Sequence, residues 1–346
     1  MARKLKVGVI GLGMMGTTHL DIYAQMSEVE VVAIADTNPD LLDGSLQAKG
    51  NIEGQAAGSV KALNVKKYSD GMGLVSDPKV ELVDICVGTH LHFSFVEAAL
   101  IQEKHVLIEK PLARSAEQAR RIVELAKCST KVVMSAMCLR YWPAWLWLKK
   151  AIDDNRFGAC LSLNCRRHTS HPPGDFYSNS EQCGGALLDL HIHDTDFINF
   201  CFGMPQAVFS QGHLGPSGGI DYVSTQYIYN QAQRAIVHAE GTWDLQEGYG
   251  FSMSYTANFE NATLNYVLAD EETLMLFVAG DEPKNVELPD GMGYEFEIRE
   301  CVDTILENRS TDMNLLNQAA DSLVIIEAEQ ASIKYCSVVP IKERLD

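Results

Sequence analysis

The chain has 346 residues, enough for about two domains of ordinary size. Its 28 Lys and Arg residues are outnumbered by 46 Asp and Glu residues, which gives a formal charge of −18 at pH 7. Because such a surface repels polyanions and the basic residues form no long run, nucleic acid is excluded as a partner. No apolar run approaches the ~18 residues of a membrane span, so no membrane partner is expected.

Nine cysteines occur singly along the chain, without a C-x-x-C pair. Their odd number and low density argue against a disulfide scaffold and predict a reduced, cytoplasmic protein. The basic start is followed by the segment 7–13, whose pattern fits a strand and a turn better than a cleaved leader.

The first 138 residues alternate apolar strands with helical segments. The predicted strands are Leu5–Ile10, Glu30–Asp36, Val80–Val87, His105–Ile108 and Lys131–Met137, and the predicted helices are Thr17–Met26, Phe93–Gln102 and Ser115–Ala126. Apolar strands that alternate with helices are typical of a parallel sheet covered on both faces. We therefore predict a doubly wound α/β domain over residues 1–138.

The pattern changes after residue 138. The predicted helices are Ala144–Asp154, Ala186–Phe202, Tyr294–Glu307 and Met313–Tyr335, and the predicted strands include Cys160–Arg166, Tyr222–Tyr229, Ala235–Thr242 and Ser252–Phe259. Strands that follow one another without helices between them indicate antiparallel pairing. We predict a second domain over residues 139–346, of the α+β class, with a large, mostly antiparallel open sheet.

A G-x-G-x-x-G segment directly follows the first predicted strand and opens a helix. It consists of Gly11, Leu12, Gly13, Met14, Met15 and Gly16. Glycines at this spacing permit a tight turn and close approach of the backbone to a pyrophosphate at the helix N-terminus. Asp36, which ends the second strand, is placed to accept hydrogen bonds from a ribose and to repel a 2′-phosphate. No Arg occurs at 37–40, so NAD is predicted in preference to NADP.

Polar residues also follow later strands of the parallel sheet. Ligands of doubly wound sheets bind beyond the carboxyl ends of the strands, so Lys110 of the Glu109-Lys110-Pro111 triplet is placed to stabilise charge on a substrate oxygen. The alternative is a solvated lysine at a strand end. Thr89 and His92 follow the preceding strand and, with Glu109, are candidate cofactor contacts.

Asp189 and His193 are four positions apart, so they share a face if one helix continues through both. A carboxylate beside an imidazole favours the protonated ring and suits a general acid or base, although a purely structural pair has the same spacing. A metal site formed by His191 and His193, with His168 or His171, is disfavoured, because the side chains of His191 and His193, two positions apart on a helix, point in different directions. The remaining candidates, all for substrate contact, are Arg140, Tyr141, His168 and His191.

With the glycine turn, the Glu109-Lys110-Pro111 triplet and the Asp189–His193 cluster in this order, the chain resembles the Gfo/Idh/MocA oxidoreductase family from Val7 to Tyr335. The resemblance implies an N-terminal Rossmann domain and a C-terminal domain whose open sheet makes homodimer or homotetramer contacts. It also implies that Lys110 contacts the reacting hydroxyl and that His193 is the acid or base, supported by Asp189. Position 191, often Gly in the family, is His here.

The expected function is an NAD-dependent dehydrogenase acting on a secondary hydroxyl of a sugar, polyol or related carbohydrate. One alternative is an enzyme that retains NAD and oxidises its substrate transiently to drive hydrolysis or elimination of a glycoside. The other is an NAD-binding regulator without catalysis.

Overall fold

The structure is a computed structural model that describes residues 3–46, 60, 64–230, 235–268 and 273–341. The first part of the chain alternates strands and helices. Its elements are β1 (Leu5–Ile10), α1 (Met14–Ala24), β2 (Val29–Ala35), α2 (Pro39–Asp43), β3 (Lys66–Tyr68), α3 (Gly71–Val75), β4 (Leu82–Ile85), α4 (His92–Ile101), β5 (His105–Glu109), α5 (Ala116–Lys127) and β6 (Val133–Ala136).

These strands form one parallel sheet in the order β3-β2-β1-β4-β5-β6. The strand order reverses between β1 and β4, which is where ligands bind in sheets of this kind. The central strands β4 and β5 are almost wholly buried, as strands covered on both faces must be. The predicted doubly wound α/β sheet is confirmed.

After residue 136, the described ranges contain four short or medium helices, nine strands and two long helices. They are α6 (Pro143–Asp153), β7 (Cys160–Ser170), α7 (Ser180–Cys183), α8 (Gly185–Asp189), α9 (Ile192–Phe202), β8 (Ala207–Leu214), β9 (Ile220–Ile228), β10 (Ile236–Leu245), β11 (Phe251–Phe259), β12 (Ala262–Val267), β13 (Thr273–Val278), β14 (Lys284–Asn285), α10 (Gly293–Leu306), α11 (Met313–Tyr335) and β15 (Val339–Pro340).

The nine strands form a second sheet in the order β14-β13-β12-β11-β7-β10-β9-β8-β15. Its strand pairs are antiparallel except β7 with β10, which are parallel. The exception arises because the chain leaves the sheet after β7, passes through three helices, and returns through β8 and β9 to place β10 beside β7. The predicted mostly antiparallel sheet is confirmed.

One face of this sheet is packed and the other is open. Along β9 the residues alternate between buried and half-buried over the whole strand. On the packed face, the fully buried Trp145 of α6 makes edge contacts with Phe197 of α9 and Tyr255 of β11, with ring centroids 4.8 and 5.1 Å apart. Such aromatic contacts add to the stabilisation from burial alone.

The chain divides into two units, Met1–Met137 with Tyr294–Ala320 and Cys138–Gly293 with Asp321–Asp346. The segment Tyr294–Ala320, which the sequence-based division places in the second domain, therefore packs with the first. Within this first unit, the backbone N–H of Val133 donates to Oγ1 of Thr311 at 2.9 Å. Local periodicity carries no information about such a return of the chain.

Helix α11 is the longest helix of the structure, with 23 residues. It carries fully buried polar side chains, including Glu329, Ser322 and Ser332. Over the described ranges, no helix combines the length and the apolar character needed to traverse a bilayer.

Candidate active site

The glycine turn lies between β1 and α1. Gly11 has a φ of +90°, and a Cβ added there would lie 2.4 Å from the carbonyl oxygen of Cys86. A Cβ on Gly16 would lie 1.8 Å from the carbonyl oxygen of Gly11, so both positions require glycine. Around Gly13, which precedes α1, the space is open, and no side chain caps the helix. This open helix N-terminus fits the pyrophosphate of a dinucleotide.

Asp36 ties the end of β2 to the glycine turn. Its Oδ2 accepts a hydrogen bond from the backbone N–H of Leu12 at 2.7 Å, and its Oδ1 accepts one from Asn38 at 2.7 Å. The carboxylate is half-buried and has no cation among these hydrogen-bond donors. Its negative charge is thus held beside the turn, where the ribose of a bound dinucleotide is recognised in this fold.

The Glu109-Lys110-Pro111 triplet begins at the last residue of β5. Oε2 of Glu109 accepts a hydrogen bond from the backbone N–H of Lys110 at 2.9 Å, and the peptide bond between Lys110 and Pro111 is cis. Lys110 is half-buried, whereas Glu109 is buried. The structure therefore brings Lys110 to the carboxyl edge of the same sheet as the glycine turn and Asp36.

His92, at the start of α4, lies against two strand ends. Its Nδ1 is 2.9 Å from the carbonyl oxygen of Pro111, and its Nε2 is 3.0 Å from that of Val87. The ring is fully buried, and Thr89 in the preceding 3₁₀ turn is buried too. Both ring nitrogens of His92 are thus engaged with backbone, and the side chain links the turns that follow β4 and β5.

A buried polar cluster lies behind the triplet. Nδ1 of His19 is 2.8 Å from Oδ2 of Asp84, which also accepts a hydrogen bond from the Tyr23 hydroxyl at 2.9 Å. Nε2 of His19 is 3.2 Å from Oε1 of Glu109. Burial lowers the pKa of His19, but the charge and hydrogen bonds of Asp84 and Cys86 together outweigh it and raise the pKa well above 6.5. The cluster therefore favours the protonated form of His19.

This cluster was not found from the sequence. Its signal was present in β4, where Asp84 interrupts an otherwise apolar strand of a doubly covered sheet. Two sets of side chains here have donor atoms within 4.8 Å of one another, His19 with Asp84 and Cys86, and His19 with Glu109 and Glu297. Neither set includes the histidines considered from the sequence.

Asp189 and His193 lie in the second unit on two consecutive helices. The prediction of one continuous helix over Ala186–Phe202 is wrong, because α8 ends at Asp189 and α9 begins at Ile192. At the break, the N–H of His191 reaches back five residues to Ala186 at 2.8 Å, which widens the helical turn. Asp189 and His193 are half-buried, and Nδ1 of His193 is 3.7 Å from Sγ of Cys138.

The glycines before α8 explain how this region folds. Gly184 and Gly185 have φ values of +88° and +71°. A Cβ on Gly185 would lie 2.8 Å from the carbonyl oxygen of Ile220 on β9. The pair therefore lets the chain turn against the sheet and start α8 there.

The four candidate substrate contacts have different surroundings. Arg140 is buried and donates to Asp196 at 2.7 and 2.8 Å, while His191 is buried with Nε2 3.3 Å from the Tyr227 hydroxyl. These contacts engage both side chains inside the second unit, and their role as substrate contacts stays a prediction. His168 lies 3.5 Å from Glu240 of the neighbouring strand β10, and Tyr141 is half-buried.

Two family models match this chain. Residues 5–137 match the oxidoreductase family GFO_IDH_MocA, with its NAD-binding Rossmann fold, and residues 145–265 match the GFO/IDH/MocA C-terminal domain. The chain belongs to the Gfo/Idh/MocA oxidoreductase family. The family resemblance read from the sequence and the prediction of NAD as the cofactor are confirmed. The open helix N-terminus and the anchored Asp36 fit that cofactor.

The relatives of this family member include proteins named as inositol dehydrogenases. The myo-inositol 2-dehydrogenase of Thermotoga maritima is 29% identical over 225 residues, 63% of each chain. An inositol 2-dehydrogenase of Klebsiella pneumoniae is 31% identical over 198 residues, 57% of this chain and 54% of that one. The aligned part thus spans less than two thirds of the length of these two relatives.

Solved structures of similar fold cover the whole chain. Levoglucosan dehydrogenase in complex with NADH and L-sorbose superimposes with a TM-score of 0.85 at 22% identity, covering 99% of this chain and 100% of that one. An NAD binding oxidoreductase from Klebsiella pneumoniae gives a TM-score of 0.83 at 20% identity, with 99% and 100% coverage. These likenesses establish the two-domain fold of this family member.

Proposed function

We propose that this protein is an NAD-dependent oxidoreductase acting on a secondary hydroxyl of a sugar, polyol or related carbohydrate. The observation that carries the proposal is the shared position of the glycine turn, Asp36 and Lys110 at the carboxyl edge of one parallel sheet. The names of the relatives, inositol 2-dehydrogenases and levoglucosan dehydrogenase, support a polyhydroxylated substrate.

The family resemblance gives Lys110, His193 and Asp189 different chemical roles in this proposal. In the oxidative direction, His193 removes the hydroxyl proton while Lys110 hydrogen-bonds the same oxygen and stabilises its developing charge. Asp189 supports the charged form of the imidazole. Bound NAD supplies the hydride acceptor. In the reductive direction His193 returns the proton as an acid.

We further propose that the cofactor preference depends on Asp36, and that Leu12, Met14 and Met15 contribute the backbone around the pyrophosphate. Because both carboxylate oxygens of Asp36 are held by backbone N–H groups, the side chain cannot turn away from an added 2′-phosphate without losing those bonds. The fixed charge then repels NADP.

The open face of the second sheet supports a proposal of self-association into a homodimer or homotetramer in the cytoplasm. The half-buried residues of this face include Tyr222, Ser224, His238 and Glu240, which already hydrogen-bond one another across strands. Light scattering of the full chain tests this proposal, and a monomer at working concentration would refute it.

The catalytic proposal is tested with a panel of inositols, sugars and anhydrosugars, incubated with NAD or NADP and followed by nicotinamide absorbance. We expect NADH formation with at least one polyol, and a fall in kcat of roughly 100-fold or more for Lys110→Ala and for His193→Ala. Unchanged NADH formation in both variants would refute the assignment. Product without net NADH would indicate transient oxidation, and NAD binding without turnover a regulator.

A further inference from the structure

Glu297 of α10 is a buried acid to which no described residue gives a hydrogen bond. The side chain is fully buried, and within the described part of the chain neither carboxylate oxygen has a hydrogen-bond partner. Its oxygen lies within 4.8 Å of donor atoms of His19 on α1 and Glu109 on β5. Leaving an ionised carboxylate in this state would be costly, so the group needs either a proton or a cation.

The groups that face Glu297 decide which of these it takes. They are Glu109, His19 and Asp84, with Cys301 one turn further along its own helix. If all were ionised, three carboxylates would share one imidazolium in a buried space, and Cys301 would add no compensating charge. Unless a cation is bound, at least one carboxylate must therefore hold a proton.

The hydrogen bonds identify the protonated group. Asp84 accepts from Tyr23 and faces His19, while Glu109 accepts from the N–H of Lys110 and faces the other nitrogen of the same ring. Glu297 receives no such donor in the described structure. Burial, and after it the charge of Glu109, raises the pKa of Glu297 well above its ordinary value of 4.5.

We propose that Glu297 is a neutral acid that positions the Glu109-Lys110-Pro111 turn by leaving Glu109 as the single charged partner of His19 on that side. Glu109 in turn holds the N–H of Lys110 at 2.9 Å. A charged Glu297 would repel Glu109 and compete for the His19 ring. The inference rests on the proposed function, because the purpose of the turn is to present Lys110 to the substrate oxygen.

A bound divalent cation is the competing way to balance these charges. His19, Glu109 and Glu297 offer three donor atoms, and a carboxylate on the other nitrogen of a ligating histidine is a common supporting arrangement. Nε2 of His19 lies 3.2 Å from Oε1 of Glu109, within ion-pair range, although the described residues give it no hydrogen bond. This ion pair together with a proton on Glu297 balances the charges without a metal. Metal analysis of the purified protein distinguishes a bound divalent cation from a proton on Glu297.

The kinetic test compares Glu297→Ala with Glu297→Gln in the full chain with NAD and the best polyol. We expect Ala to lower kcat by roughly tenfold with little change in the KM for NAD, because a small displacement of a positioned group has effects of this size. Gln, which matches the neutral acid in shape, restores kcat to within about twofold of the unchanged protein. An equal loss for Gln and Ala would overturn the proposal.

The thermal test needs no substrate, so it separates failure of this inference from failure of the proposed function. Above pH 4.5 the unfolded chain releases the Glu297 proton while the folded chain keeps it, so this group destabilises the fold increasingly as pH rises. Glu297→Gln removes that penalty. We therefore expect the Tm difference between Glu297→Gln and the unchanged protein to grow as the pH is raised from about 5 to 8. Each kcal/mol of unfolding free energy that Glu297→Gln regains corresponds to a rise in Tm of roughly 2–4 °C.

The matched control is Glu300→Gln, which neutralises an exposed carboxylate one turn away on α10 that pairs with Arg309. We expect the Tm difference for Glu300→Gln to change much less with pH. A pH-independent difference for Glu297→Gln would overturn the proposal. So would a stoichiometric divalent metal in the unchanged protein that Glu297→Gln loses, because Glu297 would then be an ionised ligand.

Discussion

In the second unit two buried carboxylates of α9 each face an arginine of their own, whereas in the first unit three carboxylates surround one histidine. Arg140 donates to Asp196 at 2.7 and 2.8 Å, and Arg167 donates to Asp194 at 2.8 and 3.3 Å. Guanidinium groups keep their charge at any pH a protein meets, so these pairs are permanently balanced. The first-unit cluster is balanced only by protons, on His19 and on Glu297.

The two ways of balancing charge correspond to two roles. The arginine pairs have a structural role, and the histidine cluster lies next to the proposed catalytic Lys110. The arginine pairs anchor α9 to neighbouring elements of the second unit, and their stability does not depend on the protonation of any other group. The histidine cluster directly contacts Glu109, whose carboxylate holds the backbone of Lys110. The protonation of the histidine cluster changes with pH, so the contacts that hold the Glu109-Lys110-Pro111 turn change with pH as well.

The largest effect is expected from breaking an arginine pair. Asp196→Asn leaves the buried Arg140 guanidinium without its counter-charge and should cost about 3–5 kcal/mol of the free energy of unfolding. Chemical denaturation of the second unit measures the loss, which we expect to be the same at about pH 6 and pH 9. A loss that varies strongly with pH would contradict the distinction between the two regions.

A smaller, pH-dependent effect is expected from Asp84→Asn in the first unit. Because Asp84 raises the pKa of His19 in the folded state, the stabilisation is complete below 6.5 and is lost as pH rises through the folded pKa. Removing Asp84 should therefore cost about 1–3 kcal/mol at acid pH and progressively less in alkaline solution. Thermal unfolding over a pH series checks this prediction. Tyr23→Phe, which removes only the neutral donor to Asp84, is the control.

The smallest effect in free energy is expected at Asp36, whose carboxylate is held by backbone N–H groups and has neither an arginine nor a histidine as a partner among the described residues. Asp36→Ser removes the fixed charge and should lower the NAD-to-NADP ratio of kcat/KM by at least tenfold, about 1.4 kcal/mol. Steady-state kinetics with both cofactors measure the ratio. An unchanged ratio would show that this carboxylate does not select the cofactor.

The sequence predicted the parts of the site that depend on residues close together in the chain. The glycine turn, the strand end at Asp36 and the triplet after β5 were all found, because glycine requirements and strand-end positions are local properties. The break between Asp189 and His193 was missed. Helical spacing continues through the break, so the spacing does not reveal the hydrogen bond from the N–H of His191 to Ala186 that accompanies it.

Glu297 shows what spacing could not reveal. Its position on a predicted helix gives no hint that it lies beside His19, which is 278 positions earlier in the chain. The same is true of the assignment of Tyr294–Ala320 to the first unit. Contacts of this separation arise only when the chain returns to a distant part of the fold.

The composition and motifs by themselves predicted a two-domain chain with a doubly wound N-terminal sheet and an NAD-binding turn, and they predict no affinity for polyanions. Hydrophobic periodicity and glycine conformation depend on a few neighbouring residues, and net charge depends only on composition. All three can therefore be read without knowing how the chain folds. Only the tertiary structure decided which carboxylates are paired with arginine and which surround His19, and only it supports the proposal that Glu297 positions Lys110 through Glu109. Burial and partner identity set the charge state of an acid, and both are properties of the folded molecule.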